Sequence, residues 1–507
     1  MSAITAQVLV KSPKRVRKSA GLAVAEYDRA GNLKAKYVQS APMAGSSRVD
    51  ILLPTKRKQQ WRKLLDVFLP DGYPHSVTDD YTEYQIYASP SSRVLSSRGL
   101  TIVQDSFQAF AGTIAGMISS RAVWEGMGVG DSMASPTGAM MVQVIRESMG
   151  RFGTIAFAHL MGTSIEAECK SYRLAADVLQ DVAHVIDCLS PIFPTSVRFV
   201  VLCFSSVLFS ASGVAGNASK SSLSGHFAKW NNLGELNAKD GSQETAISLM
   251  GMIVGTVVVS LLTTTTATWS ALIFLLGIHL LLNWKGVRAV KARSLNRQRA
   301  NIAFSSLLST DKVLTPTEVS QREAIFESRG GEVLRWNSHA VLGHCKFGMP
   351  LESLLSSLAS GQQAMRSFEL PAVTLATLMD VFEQQEYMLW CEVPGAPPSR
   401  NRGGASDVRV VVVLKNGVSG LSQLQAWFHG LLLASRLRQL DGADLLRARV
   451  DQRTMLCHVE AALRQTRERY EGYARRLSAV GWNLEVAVLE TRSGSRIARE
   501  SSDETCH

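Results

Sequence analysis

Five ionisable side chains recur at helical spacing within Glu168–Leu189. At about 100° per residue they share one stripe about 120° wide, and aliphatic side chains occupy the opposite face. The bland interpretation is an amphipathic helix with one face in water. The sharper one is a polar seam inside a helical bundle, lining a cavity or a proton path. The seam candidates are Arg173, Asp177, Asp181 and His184, with Asp187 at the edge of the stripe.

A metal site is the third interpretation of this stripe. Asp177, Asp181 and His184 carry suitable ligand atoms, but no further ligand cluster accompanies them. His339, His344 and Cys345 likewise lack a second ligand pair. We therefore expect no metal.

The polar segment Asn237–Thr245 directly precedes the most apolar part of the chain. Asp240 with Gln243 three residues later matches a capping box and predicts that a helix starts there. At the mouth of a membrane helix, Asp240 and Glu244 could also bind a cation or a basic group of a substrate. Both roles stay open for these loop candidates.

A glycine-dense segment forms the last candidate site. No strand precedes it and its spacing differs from a dinucleotide-binding loop, so we predict a mobile or tightly packed turn. Phosphate-loop, zinc-protease, serine-hydrolase and kinase motifs are absent, and no nucleophile–base pair can be argued from spacing. We favour a protein that is not an enzyme and expect no cofactor. The candidate residues in this turn are Gly126, Gly128, Gly130 and Asp131.

Long uncharged segments of the chain must form the helices that position these residues. Thr245–Trp284 is forty residues long without a formal charge, and about twenty helical residues cross a bilayer. The run predicts two membrane passes, Ala246–Thr264 and Ala267–Trp284, or one long kinked helix, and a pair of buried core helices is the soluble alternative. Six cations in residues 285–299 favour the cytosolic, matrix or stromal side for the C-terminal region.

The fold class predicted is mainly α, with a multi-helix, membrane-embedded domain at residues 61–300 and a small α+β domain at residues 301–490. Residues 491–507 are expected to be a disordered tail. In the second domain, hydrophobic patterns predict three strands and two helices. The strands are Glu386–Val393, Val408–Lys415 and Trp482–Glu490, and the helices are Leu421–Leu440 and Gln452–Leu477.

Residues 1–60 form a basic arm, with a hairpin predicted around Tyr27–Asn32. The net charge of the whole chain is +11, and the first 63 residues account for all of it. A nucleic-acid-binding surface over the whole molecule is therefore excluded. The arm is open to three interpretations: a solvated tail, an organelle transit peptide, or an arm that binds lipid or nucleic acid.

Five motifs follow one another along the chain: Phe68–Thr78, Gly126–Asp131, Tyr172–Asp177, Leu189–Pro194 and Asn237–Thr245. Together and in this order, they resemble the root UVB sensitive protein family. The resemblance covers about residues 62–300 and implies a eukaryotic protein with a membrane domain. Plant members are linked to plastids, UV-B response, early seedling development, auxin transport and vitamin B6 balance, and the family brings no agreed catalytic residues.

Two hypotheses describe the function. The first is an integral membrane protein of a plastid, a mitochondrion or otherwise the endomembrane system, which transports or senses a small polar solute through the seam. The second is a membrane-anchored adaptor whose C-terminal domain recruits a protein partner, for example a paralogue of the same family. The expected partners are a lipid bilayer and such a protein, and no nucleic acid. An enzyme of vitamin B6-like metabolism rests on the resemblance alone.

Overall fold

The structure is a computed structural model. It describes residues 23–27, 33–39, 49–52, 68–70, 73, 76–86, 105–129, 135–327, 332–337, 340–359, 367–393, 408–492 and 494–499. Strands β1 (Ala23–Tyr27), β2 (Leu33–Gln39) and β3 (Val49–Leu52) pair antiparallel, with Tyr27 opposite Leu33. The predicted hairpin is therefore confirmed, and a third strand extends it.

A bundle of long helices comes next in the chain and forms the first half of the fold. Ser135 caps helix α3, because its hydroxyl accepts from the N–H of Gly138 and Pro136 takes the first helical position. The bounds are α1 Asp79–Ile86, α2 Asp105–Gly126, α3 Pro136–Ala167, α4 Cys169–Leu189, α5 Thr195–Phe227, α6 Leu233–Leu261 and α7 Thr265–Ala289.

The forty-residue apolar run forms two helices, α6 and α7, rather than one kinked helix. The Thr264 hydroxyl accepts from the N–H of Ala267 at 3.2 Å and starts α7. At the end of α6, Arg121 of α2 donates to the carbonyls of Val259 and Leu262 at 2.9 and 3.0 Å. Arg121 therefore satisfies carbonyls that the end of α6 leaves without a helical partner.

Helix α2 lies between α6 and α7. A Cβ atom at Gly251 would lie 2.9 Å from Cβ of Thr113, so this glycine lets α6 approach α2 closely. On the other side, Ile114 and Ile118 of α2 pack with Leu272 and Leu276 of α7. Both helices that carry the long apolar run are thus packed against α2.

The helical half exposes apolar side chains. Among the described residues, α5, α6 and α7 are long and apolar enough to cross a membrane, and 17–28% of the residues in their most apolar stretches are buried. Phe204, Ile253 and Phe274 point outward and are each more than half exposed. Contiguous exposed apolar surface of this kind marks a contact with lipid or with another protein.

The second half has its own core, which runs from Leu295 to Leu489. The strands are β4 Ser294–Asn296, β5 Val333–Trp336, β6 Ala340–Phe347, β7 Tyr387–Glu392, β8 Val408–Lys415, β9 Asn483–Val488 and β10 Arg496–Ile497. Strand β8 pairs parallel with β6 and β10 and antiparallel with β7, and β4 pairs with β9. The helices are α8 Arg297–Thr310, α9 Pro316–Arg322, α10 Leu351–Leu358, α11 Leu375–Val381, α12 Gly420–Gln439, α13 Gly442–Val450 and α14 Gln452–Ala479.

The mainly α fold class is confirmed, and so are the five elements predicted for the second half. The disordered tail predicted from residue 491 is wrong at Arg496–Ile497, which pair with the end of β8. Two members of the basic cluster after α7, Arg297 and Arg299, are buried in this half of the fold. Their guanidinium groups donate to the carbonyls of Leu489 and Ser294. The domain boundary placed at residue 300 stays a prediction.

A buried ion-pair network joins the two halves. Glu323, which comes directly after α9, accepts from Lys170 of α4 at 2.6 Å and from Arg299 of α8 at 2.8 Å. Burial alone raises the pKa of Glu323, but the two cations outweigh it and hold the pKa below its usual value. The neighbouring Glu168 has a pKa raised to about 7, chiefly by burial.

Candidate functional site

The stripe of α4 faces the inside of the bundle. Asp177, Asp181, His184 and Asp187 are all buried, whereas Val178 on the opposite face is exposed. This is the reverse of a soluble amphipathic helix, so the interpretation as a water-facing stripe is wrong. The polar seam lies inside the bundle, as the sharper interpretation predicted, and its function stays a prediction.

Asp177 gathers hydrogen-bond donors from three helices. Its carboxylate accepts from Arg173 of α4 at 2.7 Å, from Gln108 of α2 at 2.5 Å, and from the side-chain amide of Asn283 of α7. The Nε2 atom of His279 lies 3.7 Å from the same carboxylate. Charge-assisted bonds of this kind hold a buried carboxylate in place and tie the three helices together.

Two histidines continue the seam. His279 Nδ1 lies 2.9 Å from Asp181 Oδ1, and His184 Nδ1 lies 2.7 Å from the Ser119 hydroxyl. Glycines of α2 make room for both imidazoles: a Cβ atom would lie 3.3 Å from His279 at Gly112 and 3.4 Å from His184 at Gly116. Gly112 and Gly116, which are four positions apart on α2, therefore leave space for the imidazole rings of His279 and His184.

Asp187 ends the seam and holds the outer helices. It accepts from Arg146 of α3 at 2.6 Å and from the hydroxyl of Ser205 of α5. Both carboxylate oxygens are thus occupied by neighbouring helices. Asp187 binds α3, α4 and α5 together. It does not line the cavity that α2, α4, α5, α6 and α7 enclose, which is described below.

The second group of candidates lies on α6. Lys220 of α5 contacts Asp240 at 2.7 Å and Glu244 at 2.6 Å. Gln243 donates to the carbonyl of Phe68 at 2.6 Å. The prediction that Asp240 starts a helix is wrong, since α6 begins at Leu233 and Asp240 lies inside it. The expected loop candidates are helical because these partners satisfy their polar groups in place.

A cavity of about 460 Å³ connects the two groups. This volume falls within the range of pockets that hold small molecules. Its walls bring together two cations, two carboxylates and two imidazoles from α4, α5, α6 and α7. Those ionisable lining residues are Arg173, Asp177, His184, Lys220, Glu244 and His279.

The glycine-dense turn closes α2 at a distance from this cavity. Gly126 is the last residue of α2, and its carbonyl accepts from Arg198 of α5. Gly128 has a positive φ of 85°, a conformation that glycine adopts without strain. The two residues support the packed-turn alternative, whereas Gly130 and Asp131 lie outside the described residues.

Within the described ranges, no three His, Cys, Asp or Glu side chains cluster so as to hold a metal ion. The residues that sequence reasoning missed are the partners of the seam. His279 and Asn283 interrupt the forty-residue apolar run four positions apart, which places them on one helix face. Lys220 interrupts the uncharged part of α5. These isolated polar residues were the available signal.

Comparison with known proteins adds a family to this geometry. The sequence model of the "Vitamin B6 photo-protection and homoeostasis domain" matches residues 54–311, just over half of the chain. The chain therefore belongs to the root UVB sensitive family. The resemblance drawn from its motifs is confirmed, and every residue of the seam and the cavity lies within the matched part.

The family relatives come from distant eukaryotes. RUS family member 1 of Dictyostelium discoideum is 37% identical over 269 residues, which cover 52% of this chain and 48% of that protein. Protein root UVB sensitive 3 of Arabidopsis thaliana is 30% identical over 326 residues, 64% of this chain and 70% of that protein. The chain thus spans about half the length of the Dictyostelium relative. No solved structure matches it.

Proposed function

We propose that this family member is an integral membrane protein that binds a small polar solute in the cavity between α2, α4, α5, α6 and α7. The observation that carries the proposal is the inverted pattern of α4, with carboxylates and a histidine inside and aliphatic side chains outside. Ionisable groups buried within apolar helices are expensive, and they usually persist because they act on a solute or a proton.

An exposed carboxylate at the α5–α6 side of the cavity favours a solute with a basic group. Arg173 and Asp177 pair with each other in the cavity wall, and Lys220 contacts the carboxylates of Asp240 and Glu244. The side chain of Glu244 is 44% exposed, so a cationic group could reach it from outside.

Vitamin B6 compounds are the first solutes to test, because the matched family description names vitamin B6. Pyridoxamine carries a basic amine, and its phosphate ester adds negative charge that the exposed carboxylate of Glu244 repels. We expect purified full-length protein to bind pyridoxamine more tightly than pyridoxamine phosphate in calorimetry. Equal binding of the two, or binding of neither, would contradict this choice of solute.

Matched variants test the cavity itself. Asp177→Asn removes the charge that faces Arg173 in the cavity wall, whereas Asp187→Asn makes the same change on the same helix outside the cavity. We expect Asp177→Asn to weaken solute binding at least tenfold and Asp187→Asn to leave it within twofold, with both variants folded by thermal scan. Equal losses in the two variants would refute a role for the cavity.

Membrane placement has its own experiment. A full-length tagged protein in fractionated organelles should stay in the pellet after alkaline carbonate extraction, and the fractions will identify a plastid, a mitochondrion or an endomembrane. Release into the supernatant would reject integral membership and leave a peripheral adaptor or a soluble small-molecule-binding protein. Deletion of residues 301–507 would then test the adaptor, which should lose all function.

A further inference from the structure

We propose that the end of α7 and the adjoining helix α9 form a binding site for the headgroup of an anionic phospholipid. The inference rests on the proposed membrane placement of α7. It concerns a cavity of about 280 Å³ that is separate from the solute cavity. Its polar and aromatic lining comprises Trp284, Lys285, Arg288 and Lys291 on one side and Thr317, Ser320 and Gln321 of α9 on the other.

The outward face of α7 changes character along its length. Ile273, Phe274 and Leu281 lie on this face of the helix and are 51–67% exposed. Trp284 comes next on this face and is 44% exposed. Exposed Lys285 and Arg288 complete the face. From Ile273 to Lys285 the helix rises about 18 Å, so one surface offers an apolar stretch as long as an acyl chain and then a cationic end.

The order of side chains matches a lipid lying along the helix. Tryptophan is enriched where membrane meets water, and lysine and arginine near helix ends extend toward the headgroups. The Arg288 guanidinium carbon lies 5.6 Å from the centroid of the Trp284 ring, which holds the cation beside the aromatic belt position. The cationic end therefore lies where a headgroup phosphate would be.

The charge of the cavity selects an anion. Its lining contains three cations, and no carboxylate is among the described residues that form it. Thr317 and Gln321 add a hydroxyl and an amide from α9, which belongs to the second half of the fold. A negatively charged headgroup bound there would also contact both halves of the molecule. Phosphatidylcholine has no net charge, so its headgroup should bind this cavity more weakly.

Native mass spectrometry of full-length protein in a neutral detergent tests the site, with titration of phosphatidylglycerol or phosphatidylcholine. A cation near a membrane surface contributes about fivefold to the binding of anionic lipid. We therefore expect the double variant Lys285→Gln with Arg288→Gln to bind phosphatidylglycerol about 25-fold more weakly. The matched control, Arg464→Gln with Arg469→Gln on exposed positions of α14, should bind like the wild type.

Three results would overturn the proposal: equal affinity for the two lipids, an unchanged preference in the Lys285/Arg288 variant, or displacement of the lipid by glycerol phosphate at the same concentration, which would indicate a site for soluble phosphate. Flotation with liposomes separates this failure from that of the proposed function. Protein that floats without preferring phosphatidylglycerol refutes only the headgroup site. Protein that does not float with liposomes of either composition refutes the membrane placement of α7.

Discussion

A carboxylate on the outward face of α6 provides a sharp test of membrane embedding. Ile253 is 62% exposed and lies eight residues, about 12 Å, from the end of the helix at Leu261. That depth is near the middle of a bilayer about 30 Å thick. The change Ile253→Asp therefore places a charge in hydrocarbon if α6 crosses a membrane, and in water if it does not.

The two environments predict very different costs. An aspartate at the centre of a membrane helix costs about 3 kcal/mol on insertion scales, which corresponds to roughly a hundredfold change in an equilibrium. An exposed substitution in water usually changes stability by less than about 0.5 kcal/mol. Leu446→Asp is the matched control, because Leu446 is 55% exposed on α13 in the second half of the fold.

The assay is the fraction of full-length protein that resists alkaline carbonate extraction, together with the thermal midpoint in micelles. We expect Ile253→Asp to lose most of the resistant fraction and Leu446→Asp to retain it. If the two variants behave alike, the exposed face of α6 does not contact lipid. The apolar surface of α5, α6 and α7 would then have to be an interface with another protein.

Three further predictions concern single buried contacts. Glu323→Gln should destabilise the full-length protein by about 3–5 kcal/mol, since it leaves two buried cations without their carboxylate; this loss, measured by thermal unfolding, should vanish as the pH falls through the lowered pKa of Glu323. Glu168 favours the folded state most below pH about 4.3, its unfolded pKa, and that contribution falls as the pH rises to about 7. The thermal midpoint of Glu168→Gln should therefore depend less on pH between these two values than that of the wild type. Gly116→Leu should displace the His184 ring and cost about 1–3 kcal/mol, whereas Gly116→Ala should be tolerated at 3.4 Å; an equal midpoint for the two would contradict this packing.

The sequence alone identified the seam but not its partners. The positions of Asp177, Asp181 and His184 are set by helical periodicity within one helix. Their contacts with Gln108 and His279 depend on how α2 and α7 pack against α4, and no local pattern encodes that packing. The isolated polar residues of α7 carried a signal, but only the assembled bundle shows which carboxylate each one meets.

The capping rule predicted a wrong helix start where tertiary contacts supply the hydrogen bonds that a helix cap would otherwise provide. Asp240 and Gln243 have capping-box spacing, yet α6 starts seven residues earlier because Lys220 and the carbonyl of Phe68 satisfy their side chains. In the second half, β7, β8, α12 and α14 were predictable because their apolar residues either form a continuous run or recur at a helical period. Strand β10, two residues long, has no pattern of its own and exists through its pairing with β8.

The network around Glu323 bears on the choice between the two functional hypotheses. An adaptor domain that recruits a partner independently needs only a tether to its anchor. Here a buried carboxylate takes its two cations from opposite halves, Lys170 from the seam helix and Arg299 from the second half. Lys170 lies three residues before Arg173, and Arg173 lines the cavity. We therefore expect a displacement of the second half to move the helix that carries the seam, which favours the solute hypothesis over an adaptor domain that is merely tethered to its anchor.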